Sequence, residues 1–169
     1  GASSEKNVKE IRISGGVVTA KSSDGAGIGT GSATKERTGK IVIEGGTVNA
    51  SSWSGAGIGS GYGYAPGSSA IIAKIEIGGM ITAYSYSGAC IGSGRDSSSR
   101  VLIDGGTICL DNKDAWNRDV AHIGKGDDNS TLPQTDVTIT GGTICLIGAD
   151  RNIPRPIIYG WEQVDGKGQ

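Results

Sequence analysis

Three aromatic residues stand at related places in this chain. Trp53 and Tyr86 each precede by five residues the isoleucine of a Gly-Ile-Gly phrase, and Trp116 precedes its counterpart by seven. If equivalent residues stack, the three rings meet at one corner. Flat, partly exposed rings suit the apolar faces of sugar rings. Tyr84 extends the group, and Tyr62 and Tyr64 in "GYGYAPGSS" stand on the next loop. The competing expectation is ordinary packing, with the rings stacked on one another over the backbone.

Other residue types offer other chemistry. The stretch "LDNKDAWNRD", followed by "KGDDNS", carries Asp111, Asn112, Asp114, Asn117, Asp119, Asp127 and Asp128, the oxygen ligands that calcium prefers. Neither run has the spacing of an EF-hand or of a calcium-binding nonapeptide repeat, and Lys113 and Arg118 dilute the charge, so a solvated loop competes with the metal site. No other cofactor is expected. Cys90 and His122 share one column, on the outward side between buried Ala and Ile columns. With Asp119 near, they are the one set resembling a nucleophile, base and orienter. No oxyanion donors or cleft accompany them. Cys109 and Cys145 recur in "TIC"; stacked at about 4.8 Å they fall within disulfide range. Parallel in-register neighbours rarely have the right dihedral, so free thiols are expected. Arg95, Arg100 and Lys125 supply the base types of a lyase without diagnostic spacing. "GAGIGTG" at 25–31 has the look of a phosphate cradle, but it returns at 55–61 and 88–94 and, weakened, at 120–126. A cofactor site is needed once, and no helix follows these glycines.

The elements that position these residues come from the repeat. Double glycines at Gly15, Gly45, Gly78, Gly105 and Gly141 are spaced by 30, 33, 27 and 36 residues. Each unit opens on an alternating run such as "KIVIEGG", continues as "TVNA" or "TICL", and reaches the Gly-Ile-Gly phrase: three short strands in about 30 residues. A propeller blade needs about 40 residues and four antiparallel strands. Three strands make one coil of a parallel β-helix, right-handed by the crossover rule.

The expectation is therefore an all-β solenoid of about five coils in a single domain over 1–169. Its units are 8–38, 39–70, 71–99, 100–135 and 136–160. Predicted inward columns are Ile13, Ile43, Ile103 and Ile139; Val18, Val48, Ile81, Ile108 and Ile144; and Ala20, Ala50, Ala83, Leu110 and Leu146. Ala26, Ala56, Ala89 and Ala121 alternate with Ile28, Ile58, Ile91 and Ile123, with the glycines between them facing out or bending the chain. "KIEIGG" is one residue short, which predicts a slip or bulge near Ile77. Residues 153–169, with Tyr159 and Trp161, are expected to form a last partial coil and cap.

Composition agrees. Glycine supplies 31 of 169 residues, more than twice the usual share of about 7%, and its periodicity argues for order. There is no Phe, and Ile, Val and Ala dominate, as pleated surfaces prefer. Sixteen basic against 17 acidic residues, net −1, give no electrostatic case for nucleic acid or an anionic membrane. No stretch approaches a membrane span of about 20 apolar residues. "GASSEKNVKE" lacks the apolar core of a signal peptide, so a removed signal or an excerpt of a longer chain is expected. Three cysteines do not fix the compartment.

With "GGTV", "GGTI" and "GAGIGSG" in place, residues 8 to 160 resemble the glycine-rich repeats of large bacterial cell-surface proteins, which fold as right-handed β-helices of the pectin-lyase-like type. The resemblance implies a secreted or wall-attached, extracellular protein whose surface binds carbohydrate or adheres to a host or cell wall. No catalytic motif of that family's enzymes can be matched. A non-catalytic module binding polysaccharide or glycan is the first expectation. A structural or adhesive stalk contacting a protein partner is the second, and a polysaccharide lyase or hydrolase the third.

Overall fold

Short Ile-x-Ile segments separated by glycine corners have too few residues to bury a face alone, so each must stack on the next. A computed structural model of the chain describes residues 8–32, 37–63, 71–111, 121–127 and 136–147, with backbone alone at 37–38 and 71–76. The first coil contains β1 (Ile11–Ile13), β2 (Val17–Ser22) and β3 (Ile28–Gly29). Strand β4 (Arg37–Thr38) leads into a second coil of β5 (Ile41–Ile43), β6 (Thr47–Ser52) and β7 (Ile58–Gly59). The third has β8 (Ile71–Ile77), β9 (Met80–Ser85) and β10 (Ile91–Gly92). In the fourth, the first two faces run together as β11 (Ser98–Asp111), followed by β12 (Ile123–Gly124), and β13 (Asp136–Ile147) covers two faces of a fifth.

Every pairing is parallel and joins one coil to the next, for example Val48 to Val18 and Ile81, and Ile91 to Ile58 and Ile123. The chain is thus an all-β parallel solenoid. Among the described residues the three strands recur in four coils, and β13 spans two faces of a fifth. The third strand is shorter than the sequence pattern indicates. It holds only Ile and Gly, because the amide of the preceding Ala turns back to the carbonyl four residues on, as Ala56 N donates to Ser60 O at 2.9 Å.

The inward columns fill as the alternation requires. Ile43, Val48, Ile58, Ile81, Ala83, Ile91, Ile103, Ile108, Leu110 and Ile123 are buried, together with Ala56, Ala89 and Ala121. In the first and fifth coils the same columns are more open. Ile13, Val18, Ala20, Ile139 and Ile144 are partly buried, and Leu146 is 37% exposed. A further inward column precedes the first: Ile41, Val101 and Val137 are buried beside partly buried Ile11.

The short third unit keeps its register on both sides of the corner. Ile77 aligns with Ile43 and Ile103, and Met80 with Thr47 and Thr107. The missing residue comes out of the corner after Ile77, where Gly79 turns the chain at φ 79°. The register shift on β8 lies at its other end, where Ser99 opposite Ile72 gives way to Val101 opposite Ile75.

On the outer face of the second strands, Cys109 and Cys145 are joined in a disulfide, contrary to the free thiols expected. In-register parallel pairing brings their Cα atoms to 4.6 Å, inside the range a disulfide spans. On the first face Arg12 reaches Glu10 and Glu44 of the next coil. Hydrogen bonding to Glu10, then the charges of Glu10 and Glu44, raise its pKa. The group is exposed, so this contact favours register more than stability.

Candidate functional site

The corner between second and third strands is built by a ladder of serines. Ser52 Oγ donates to Gly25 O of the preceding coil at 2.7 Å and accepts from Gly55 N at 3.0 Å. Ser85 repeats the pattern one coil on, donating to Gly55 O at 2.7 Å and accepting from Gly88 N at 2.8 Å. Both hydroxyls are thereby satisfied while buried. They fix the residue that follows each of them, so Ser23, Trp53 and Tyr86 form one outward column. Its backbone is tied by Trp53 N to Ser23 O (3.1 Å) and Ser87 N to Trp53 O (2.9 Å).

In this column Trp53 and Tyr86 meet face to face, with ring centroids 4.0 Å apart and planes 17° from parallel. The rings therefore lie like plates along the solenoid axis and present edges, not a continuous flat strip, to the side. Tyr86 covers one indole face. The other is directed at the first coil, where the column holds only the exposed Ser23, and Trp53 remains 56% exposed.

Polar groups flank the stack. Ser54 Oγ donates to Asp24 Oδ1 at 3.2 Å. The segment leaving each third strand returns to the preceding coil: Tyr62 N donates to Asp24 O, Arg95 N to Ser54 O and Asp127 N to Ser87 O. This sets the Arg95 guanidinium 5.6 Å from the Tyr62 ring centroid, with Nε 3.7 Å from carboxylate oxygens of both Asp96 and Asp127. Asp96 adopts φ 52°, a left-handed conformation that Asp tolerates better than most residues. Tyr84 lies on the outer side of β9, between Ser51 and Asp111 of the adjoining coils.

Trp116, Tyr64, Asp114, Asp119, Asp128, Asn112 and Asn117 lie outside the described residues. Of the calcium candidates, Asp127 is buried beside Arg95, and Asp111 ends β11, where its carbonyl accepts from Cys90 Sγ at 3.4 Å. Among the described residues no group of three or more His, Cys, Asp or Glu could hold a metal ion. Cys90 and His122 do share a column, but they are buried, 0% and 4% exposed, not outward as expected. The direction is set by their counterparts Gly27 and Gly57, where an added Cβ would meet the backbone of the second strands. The position thus points inward, and in the third and fourth coils it holds a buried thiol and a buried imidazole. Arg100 pairs with Asp136 at 3.2 Å on the exposed first face, on a strand apart from the aromatic corner.

Residues 11–32 and 41–62 match the family model of the beta helix repeat. These are the first two coils, and they include Ser23, Asp24, Trp53 and Tyr62. No curated protein and no solved structure matches the chain. Two features of the chain escape a search for functional residue types. The serine ladder was signalled by "KSSDG", "SSWSG" and "YSYSG" ahead of each Gly-Ile-Gly phrase. The Arg95–Tyr62 contact was signalled too, because each residue directly follows the repeated phrase, "GAGIGSG" at 55–61 and "GACIGSG" at 88–94.

Proposed function

We propose that this protein is a non-catalytic β-helix module that acts outside the cytosol and binds polysaccharide or glycan at the Trp53 corner. The observation that carries the reading is the large, half-open indole held on a rigid serine ladder. A flat apolar face with polar groups at its edge suits a sugar ring, whose C–H groups stack and whose hydroxyls bond. The surface of a host or a cell wall is where such a ligand is met. The Cys109–Cys145 disulfide favours an oxidising compartment. Burial of Cys90 and His122 argues against nucleophilic catalysis by that pair.

The stacking of Tyr86 on Trp53 also favours a second reading, a structural or adhesive stalk in which these rings serve corner packing. A binding screen of wild type and Trp53→Ala over plant and bacterial polysaccharides, with and without calcium, separates the two. Glycan binding by the wild type that falls at least about tenfold in a variant of unchanged melting temperature is expected. A folded wild type that retains no glycan rejects the reading in favour of the stalk.

A further inference from the structure

The column Ser23, Trp53, Tyr86 has an aromatic ring on two coils and a hydroxymethyl group on the third. Rings spaced 4.0 Å apart along the axis leave one ring's thickness open above Trp53, at the level of the first coil. Two ionisable side chains border that level. Asp24 follows Ser23 and has one carboxylate oxygen held by Ser54. Lys21 lies exposed at the end of β2, two residues before Ser23. Their charges cancel, and the other cation of this corner, Arg95, lies beside Asp96 and Asp127. A carboxylate following Ser23 and a lysine two residues before it supply a sugar's hydroxyls with an acceptor and a donor without calling for a charged ligand.

We infer that a single uncharged pyranose takes the place of the missing ring, stacked on Trp53 over Ser23 with its hydroxyls toward Asp24 and Lys21. This rests on the glycan-binding reading above and adds a direction to it. The indole plane lies across the solenoid axis, so a sugar stacked on it also lies across the axis. A polysaccharide with roughly coplanar rings then leaves the site sideways, across the corner, and does not track from coil to coil. Only one residue of the chain meets the aromatic face, and further sugar units add little.

The geometry makes opposite demands on one substitution. A tryptophan at position 23 would complete the column and fill the site, whereas for a ligand running along the axis it would lengthen the platform. The experiment measures binding of neutral oligomers of glucose, xylose, mannose and galactose, one to six units long, with galacturonate oligomers as the charged comparison. Wild type, Trp53→Ala, Ser23→Trp and Asp24→Asn are compared, each first shown to melt as the wild type does. The expected result is binding of a neutral oligomer that levels off by the disaccharide and weakens at least about tenfold in both Trp53→Ala and Ser23→Trp. Asp24→Asn should weaken it by a smaller factor. Equal or stronger binding by Ser23→Trp, affinity that climbs with each added unit, or preference for galacturonate overturns the inference and leaves the glycan-binding reading standing. Absence of any wild-type binding overturns both.

Discussion

At the scale of single residues, two glycines show how narrow the coil is. Gly59 has φ 143°, and a Cβ there would fall on the carbonyl oxygen of Gly92 in the next coil. Gly57 has no such dihedral, yet its Cβ would come within 2.7 Å of Cys90 O and 2.8 Å of Tyr84 O. Backbone atoms cannot step aside as a flexible side chain can, so Gly59→Ala combines dihedral strain with displacement of the next rung. It should cost about 2–4 kcal/mol, read as a drop in urea midpoint with the slope unchanged. A loss below about 0.5 kcal/mol, the range of an ordinary surface change, would show that the coil spacing relaxes. The neighbourhood of Trp53 and Tyr86 was legible in the sequence, because five residues separate each from its isoleucine. The plate-like stacking was not, since spacing fixes a column but leaves side-chain torsions open. The inward position of Cys90 was hidden because its counterparts in two coils are glycines, which carry no sign of direction.

At the scale of elements, the first and second strands could be read directly, since Ile-x-Ile and Val-x-Ala alternation has the strand period and the double glycine marks the corner between. The third strand was overestimated: "GAGIG" alternates like a strand, but an amide turning back to the carbonyl four residues on curls it into two paired residues. The fifth coil shows what holds a rung to its neighbour. Among the described residues strand β13 pairs with β11, and it is tied there by the Cys109–Cys145 disulfide and the exposed Arg100–Asp136 pair. A disulfide closing a loop of this size, its ends 36 positions apart in sequence, contributes about 2–4 kcal/mol, an exposed ion pair at most about 1 kcal/mol. Cys145→Ser should therefore lower the melting temperature and speed amide exchange chiefly within β13, while Arg100→Ala leaves both nearly unchanged. Equal effects from the two substitutions would show that the bridge does not restrain this rung.

At the scale of the whole molecule, each coil touches its neighbours and little else, so the solenoid is a stack of similar layers on which one position can vary without disturbing the next. That is how Ser23, Trp53 and Tyr86 occupy one column with such different side chains, and how a site arises from a break in the repeat instead of from the repeat itself. Regular columns could be read from periodicity; the break could be recognised only once the rings were seen to stack along the axis. The central claim is that the open face of Trp53 is where a sugar sits. The most direct test is a titration of isotope-labelled protein with the neutral oligosaccharide that binds best, following indole and backbone amide resonances. The account predicts that shifts concentrate on the Trp53 indole and on the amides of Lys21, Ser23 and Asp24, with the outer face of β13 silent. Shifts centred on another face, or none at concentrations where the sugar is bound, would contradict it.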